Sequence, residues 1–272
     1  VNDSITIVGA GRLGTALKKR LTDAGHRVSI IPSRRNLRAR KISARILWLC
    51  VPDSEITRVA EDYARLPWNG KCAFHSSGVL TSEALNPLKR AGAAVASLHP
   101  LMTFVAGAIP NLSEVPFAIE GDQAAVRAAR RIVRDLGARP VAIKKSEKVA
   151  YHAFATMICP LLIALLVTAE KIASLAGISE AEARRRMLPI IQQTLRNYLK
   201  LGPAGAFSGP IVRGDVDTLR AHLKALSHLT AAKDVYIALA RAAVEFLPSV
   251  NRADIMRTLT ASPNYSVNNS PQ

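Results

Sequence analysis

Two groups of residues in this chain have the types and spacing to do chemistry. The first is Gly9-Ala10-Gly11-Arg12-Leu13-Gly14. It follows Ile5-Thr6-Ile7-Val8, a β-branched run suited to a buried parallel strand, and opens Thr15–Leu21, whose apolar spacing is helical. At a strand-to-helix junction each glycine has a distinct physical role. Gly9 makes the tight turn, Gly11 lets backbone approach a pyrophosphate, and Gly14 lets helix and strand pack closely. The pyrophosphate would rest on free N–H groups at the positive end of the helix. Gly9, Gly11, Arg12, Leu13 and Gly14 are therefore candidate dinucleotide contacts.

The second group lies where other predicted strands end. Val51-Pro52-Asp53 follows one strand, His75-Ser76-Ser77 the next, and His99 the one after. In open α/β sheets ligands bind beyond the carboxyl ends of the strands. Val51, Pro52, Asp53, His75 and Ser76 are accordingly expected beside the cofactor, with Ser77 and His99 toward the reacting centre. Lys148 stands at the start of a long helical stretch, four residues before His152, so both side chains share a face. Hydride transfer to a C=O or C=N bond needs a proton donor near the developing charge, and a lysine or histidine with a lowered pKa can fill that role. Lys148, His152 and His99 are the candidates, with Ser77 to orient the substrate. A solvated Lys148 beside Lys144 and Lys145, and histidines that merely cap or pack at strand ends, are the plain structural readings of the same residues.

Cofactor choice follows from the next strand, His26–Ile31. NAD sites usually carry an Asp or Glu about 20 residues after the glycines, accepting from the ribose 2′-hydroxyl. Here the segment reads Pro32-Ser33-Arg34-Arg35. No carboxylate is present to repel a 2′-phosphate, and Ser33, Arg34 and Arg35 can bind one through charge-assisted hydrogen bonds. NADP is the expected cofactor.

The elements that must position these groups alternate. Strands are predicted at 46–51, 71–74, 93–98, 116–120 and 140–143, with helices near 54–66, 80–91 and 122–136. This order argues an α/β fold, a doubly wound parallel sheet of Rossmann type. Beyond residue 146 the pattern becomes all-helical: one helical stretch at 147–175, then helices at 179–200, 215–228 and 230–245. The expected organisation is a cofactor-binding domain at 1–146, an all-helical substrate and dimerisation domain at 147–262, and a disordered tail at 263–272. The charge-free run 153–168 is shorter than the roughly 20 apolar residues of a membrane span and contains Pro160. It predicts a helix buried in the core or in a dimer interface.

Composition narrows the class. The chain has 272 residues, 49% of them hydrophobic, enough for a sizeable core. Cys50, Cys72 and Cys159 lie in apolar stretches without metal-ligand spacing, as small hydrophobes of a reducing compartment do. No metal site is expected, and with no signal peptide visible a cytoplasmic location is. The net charge is +17 and aromatics are 5%. The arginines are spread over several helices with no nucleic-acid motif, so a solvated basic surface is expected rather than nucleic-acid or membrane binding.

Taken together, the glycine fingerprint, Phe74-His75-Ser76-Ser77-Gly78, Leu98-His99-Pro100-Leu101, Lys148-Val149-Ala150-Tyr151-His152-Ala153 and Gly209-Pro210-Ile211-Val212-Arg213-Gly214-Asp215 resemble the Rossmann-like family with a DUF2520 C-terminal domain. That family falls in the superfamily with a helical domain of 6-phosphogluconate dehydrogenase C-terminal type. Ketopantoate reductases, pyrroline carboxylate reductases and prephenate dehydrogenases belong to it too. The resemblance spans nearly the whole chain and its last two motifs are the specific ones. It implies an NADP-dependent oxidoreductase whose helix-borne lysine, here Lys148, moves the proton. Where relatives pair that lysine with an Asn, this chain has His152; where the close family often has Ser-Asn, it has Cys159-Pro160. His99-Pro100 is similar to the catalytic His-Pro of prephenate dehydrogenases. Homodimers in which the partner subunit completes each active site are common in the superfamily. Asp215 can N-cap the helix after it, leaving Arg213 to hold a substrate carboxylate.

The implied reaction is NADPH-dependent reduction of a small anionic carbonyl compound, by resemblance a 2-oxo acid such as ketopantoate. An imine reductase, a prephenate-type dehydrogenase, and a non-catalytic NADP-binding sensor or scaffold are the alternatives.

Overall fold

The computed structural model describes residues 3–33 and 42–261. Two compact units divide between Cys159 and Pro160. The sequence pattern places the boundary at 146 instead; the difference is the helix Lys148–Ile158, which groups with the sheet unit.

The first unit is built on seven strands: β1 Ser4–Val8, β2 Arg27–Ile31, β3 Ile46–Leu49, β4 Cys72–His75, β5 Ala94–Pro100, β6 Pro116–Gly121 and β7 Arg139–Ala142, in the order β2-β1-β3-β4-β5-β6-β7. β1 to β5 are mutually parallel, as their near-continuous apolar runs predict. β6 runs antiparallel to β5, pairing Ser97 with Glu120 and His99 with Ala118. The parallel expectation needs that amendment. No helix links β5 to β6, so nothing forces the crossover a parallel neighbour requires. β7 is again parallel to β6, reached through the helix Gln123–Asp135.

Helices α1 (Arg12–Asp23), α2 (Asp53–Tyr63), α3 (Asn86–Arg90) and α4 (Gln123–Asp135) cover the sheet. One core gathers Ile5, Ile7, Leu17 and Leu21 with Trp48, Phe74 and Phe117, and α4 adds Ile132 and Val133. Val8, Leu47 and Leu49 pack on the other side with Ile56, Tyr63 and Trp68. The helix predicted at 80–91 resolves into a 3-10 turn, Ser82–Leu85, followed by the short α3. Pro87 sits in the first turn of α3, where a missing N–H costs nothing.

The single helix predicted at 147–175 is two, α5 (Lys148–Ile158) and α6 (Pro160–Ser174), separated at Cys159, which has φ −125° and ψ −83°. Pro160 disfavours helical backbone in the residue before it, which accounts for the break. The second unit continues with α7 (Glu180–Ala206), α8 (Val216–Ala225), α9 (Thr230–Phe246) and α10 (Arg252–Thr260). The sequence pattern does not predict the last. Its apolar positions Ile255 and Leu259 are fully buried against Leu219, Ile237 and Val244, but four residues of spacing are too few to declare a helix in sequence. The expected tail at 263–272 lies outside the described residues.

The charge-free run is not a core helix. Phe154, Leu161 and Ile163 expose 50%, 48% and 58% of their surface, which removes the core alternative and leaves an apolar face in need of cover. Length and composition alone would let 145–174 cross a membrane.

Candidate active site

The glycine turn is arranged as its spacing requires. Gly9 has φ +113°, and a Cβ there would stand 2.3 Å from the carbonyl oxygen of Cys50. A Cβ on Gly14 would meet the carbonyl oxygen of Gly9 at 1.9 Å, so α1 can approach the turn only because residue 14 has none. Gly11 is different. It has ordinary extended backbone, φ −76° and ψ −170°, and a Cβ built on it meets nothing within 4 Å. Packing among the described residues therefore gives no reason for its bareness.

Gly11 is the N-cap of α1, which has no side-chain cap and no acid in its first turn. Its first N–H groups are left without intrahelical partners. Arg12 adds a positive charge there. This end of α1 opens on a cleft of about 430 Å³ lined also by Leu13, Cys50, Val51, Pro52, Asp53, Ser76, Ser77 and Phe104. A bare glycine on an uncapped helix terminus beside such a cleft fits a pyrophosphate. Gly9 N–H donates to Ile31 and Cys50 N–H to Val8, fixing the turn to the ends of β2 and β1.

The loop after β4 is held by its own side chains. The Ser77 hydroxyl donates to Asp53 at 2.7 Å and accepts from the N–H groups of Val79 and Leu80 at 3.2 and 2.9 Å. His75 Nδ1 accepts from Ser77 N–H at 3.1 Å, and the ring's other nitrogen meets the Thr81 carbonyl oxygen at 3.0 Å. Since a carbonyl only accepts, the ring is the neutral tautomer protonated at Nε2. Burial pushes His75 down to about 4, partly opposed by that bond to Thr81. His75 is fully buried with both nitrogens committed. This corrects its expected role as a cofactor contact: it shapes the loop and has no polar atom left for a ligand. Ser76 lines the cleft while accepting from the Trp48 indole N–H at 2.8 Å.

Lys148 is 1% exposed. Its Nζ donates to the Ser97 hydroxyl at 2.7 Å and to the Ser77 carbonyl oxygen at 3.1 Å, and the Ser97 hydroxyl lies 3.4 Å from the same carbonyl. The loop after β4, the middle of β5 and the start of α5 thus meet at one ammonium. Among the described residues two of its three protons are committed and one is not. Burial lowers the Lys148 pKa, while Glu120 and Asp53 raise it. His99 lies close by, its ring edge-on to Tyr151 and His152 with centroids 5.8 and 5.7 Å away. Burial, then the neighbouring Lys148 and His152, bring His99 down to about 4. Gly78 makes room for both histidines: a Cβ on it would lie 2.2 Å from the His152 ring and 2.9 Å from His99 Nε2. The buried Nδ1 of His99 and hydroxyl of Tyr151 have no hydrogen-bond partner among the described residues.

The structure therefore brings Lys148, His152, His99 and Ser77 together. Lys148 sits beneath the strand ends rather than lining the cleft. Ser33 is exposed just after β2, and Arg34 and Arg35 lie outside the described residues. In the second unit Arg213 is exposed in the turn before α8, and Asp215 caps that helix by accepting from Thr218 N–H at 3.1 Å. Sequence reasoning missed Ser97, Glu120, Tyr151, Gly78 and Phe104. Ser97 and Glu120 carried a signal, as polar residues inside strands otherwise read as buried. Phe104 carried none.

Similarity to known proteins agrees with this geometry. Residues 115–243 match the domain of unknown function DUF2520, and residues 4–64 match the family described as NADP oxidoreductase coenzyme F420-dependent. Among curated proteins none matches the sequence. Several solved structures share the fold. A candidate NADP oxidoreductase from Bacteroides fragilis is 20% identical, with a TM-score of 0.75 over 89% of this chain and 97% of its own. An imine reductase from a Pseudomonas species is 17% identical, with a TM-score of 0.61 over 95% and 100%. The pyrroline carboxylate reductase of Plasmodium falciparum, solved with NADP bound, is 14% identical, with a TM-score of 0.56 over 96% and 98%. The chain is an oxidoreductase with a Rossmann-type cofactor domain, and its cofactor is NADP. More narrowly, the likeness to DUF2520 belongs to residues 115–243, behind the NADP oxidoreductase-like segment at 4–64.

Proposed function

We propose that the enzyme is an NADPH-dependent reductase of a small anionic carbonyl compound, a 2-oxo acid such as ketopantoate. The observation that carries this reading is the buried Lys148 ammonium at the meeting point of the loop after β4, β5 and α5, with one proton uncommitted among the described residues. When bound, NADPH supplies the hydride. The first turn of α1 binds the pyrophosphate, and Val51 and Pro52 flank the cleft toward the reacting end. Ser77, held by Asp53, keeps the loop edge in place. Lys148 holds a proton at Nζ for the substrate oxygen, directly or through His99. Its burial favours the neutral amine left after transfer, as a general acid requires. Arg213, exposed and without an ion pair among the described residues, is the group proposed for the substrate carboxylate.

Reduction of a C=N bond is a second reading, supported by the likeness of fold to imine reductases and reductive aminases. The same residues serve it. A panel of 2-oxo acids and cyclic imines, followed by NADPH oxidation, separates the two. On the substrate so found, Lys148→Ala lowers turnover by about 10²–10⁴-fold with NADPH affinity nearly unchanged. Wild-type turnover in that variant would remove Lys148 from the reaction.

We further propose a homodimer built on the helical part. Beyond α5 and α6, α7 exposes Ile190 at 66% and Leu199 at 83%. Apolar exposure on this scale marks an interaction surface. Against insertion in a membrane, α6 carries Glu170, which accepts from Arg184 on α7 at 2.9 and 2.6 Å and is itself 4% exposed.

A further inference from the structure

We propose that Glu120 is a positioning residue for this site: across the antiparallel β5–β6 pair it stands opposite Ser97 and is the counter-charge that keeps the Lys148 ammonium on Ser97 and the Ser77 carbonyl. The inference builds on the reductase reading for its kinetic consequence, but not for its structural test.

A buried ammonium needs both hydrogen-bond acceptors and a compensating charge. Among the described residues Lys148 has two neutral acceptors and no carboxylate in hydrogen-bond contact. Of the titratable groups that face it, His75 and His99 both have pKa values brought down to about 4 and are neutral near pH 7. His152, on α5 itself, flanks His99. Two carboxylates act on Lys148, Glu120 before Asp53, and both favour its charged form. Asp53 is exposed at the start of α2, where solvent weakens its field, and it is engaged by the Ser77 hydroxyl. Glu120 is 6% exposed, so its field is screened far less.

The register makes this specific. Ser97 and Glu120 are directly paired residues, and the Ser97 hydroxyl is the nearer of the two acceptors of Lys148. Glu120 is in turn held in place. Its two oxygens accept from the N–H and the hydroxyl of Ser82, at 2.6 and 2.8 Å, at the start of the 3-10 turn. This also gives the direction of β6 a role in the site. The antiparallel pairing puts Glu120 beside Ser97, the β5 residue level with His75 at the end of β4.

The test follows the lysine itself. In protein labelled with 13C and 15N at lysine, the Lys148 side-chain resonance, assigned by its loss in Lys148→Arg, is titrated from pH 6 to 11. Glu120→Gln, close to isosteric, is expected to move the Lys148 midpoint to lower pH by at least half a unit. Ser82→Ala removes a bond to Glu120 but not its charge, and is expected to leave the midpoint in place. An unmoved midpoint in Glu120→Gln, or equal shifts in both variants, would reduce Glu120 to a brace for Ser82 and overturn the proposal. Should Glu120→Gln fail to fold, Glu120→Asp keeps the charge and is expected to hold the midpoint near its wild-type value, and a drop matching that of an uncharged site would contradict the proposal. Once a substrate is known, the basic limb of the kcat–pH profile moves in the same direction as the resonance. A resonance that moves while no substrate can be found would leave the charge pairing standing and the reductase reading in question.

Discussion

At the scale of single residues, His75 and Lys148 show how much of the site is internal architecture. The sequence pattern sets both toward ligand, and both are buried. Their chemistry is legible in sequence, because a histidine after a strand and a lysine opening a helix are conspicuous. Their orientation is not: Lys148 is aimed by Ser77, 71 residues away, and His75 by the fold of the loop that brings Ser77 N–H and the Thr81 carbonyl to its ring. His75 also has a consequence for stability. Its folded pKa of about 4 lies below the ordinary value near 6.5, so the unfolded chain binds the proton more readily. Stability is then full above about pH 6.5 and falls as pH drops through about 4, by roughly 3 kcal/mol for a shift of this size. Denaturant unfolding from pH 7 to pH 4 should show this loss, and His75→Asn should lose less over the same range. Identical slopes in the two proteins would mean that His75 is not buried neutral.

Among the elements, periodicity predicts what local sequence determines. β1 and α1 with the glycine turn between them, the amphipathic α4, and the cap of α8 are all readable. Asp215 illustrates the last: a short polar residue before an apolar-periodic run is itself the signal. Its side chain accepts from both the N–H and the hydroxyl of Thr218. Asp215→Ala should therefore lower stability by about 1 kcal/mol, seen as a reduced Tm of the purified protein, and an unchanged Tm would exclude a capping role. The direction of β6 and the break at Cys159 are less readable. The first depends on the absence of a crossover helix, and the second on one proline whose effect competes with the helix formers around it.

For the whole molecule, the pattern of one α/β unit followed by an all-helical one is legible in the order of strands and helices, but not what covers the apolar helices. The run 153–168 reads as buried by composition and is exposed in the single chain. The proposed second copy of the chain would reconcile the two. Light scattering at micromolar concentration should give twice the 29.3 kDa chain mass. Paired Leu161→Glu and Ile163→Glu substitutions should shift the protein to monomer or aggregate. A wild-type monomer at that concentration would leave the apolar face unexplained and contradict the dimer.

The central claim is that the glycine turn exists to hold the pyrophosphate of NADPH, and Gly11 isolates it. A Cβ there meets no atom of the described residues within 4 Å and needs no unusual backbone, so Gly11→Val should fold, its Tm lowered by no more than the roughly 1 kcal/mol that an apolar residue costs at an N-cap. The same side chain would occupy the place where backbone must approach a phosphate. Calorimetric titration of the wild type should show NADPH binding well above NADH, and Gly11→Val should show NADPH affinity reduced at least a hundredfold. A folded Gly11→Val protein that binds NADPH as the wild type does would contradict that claim.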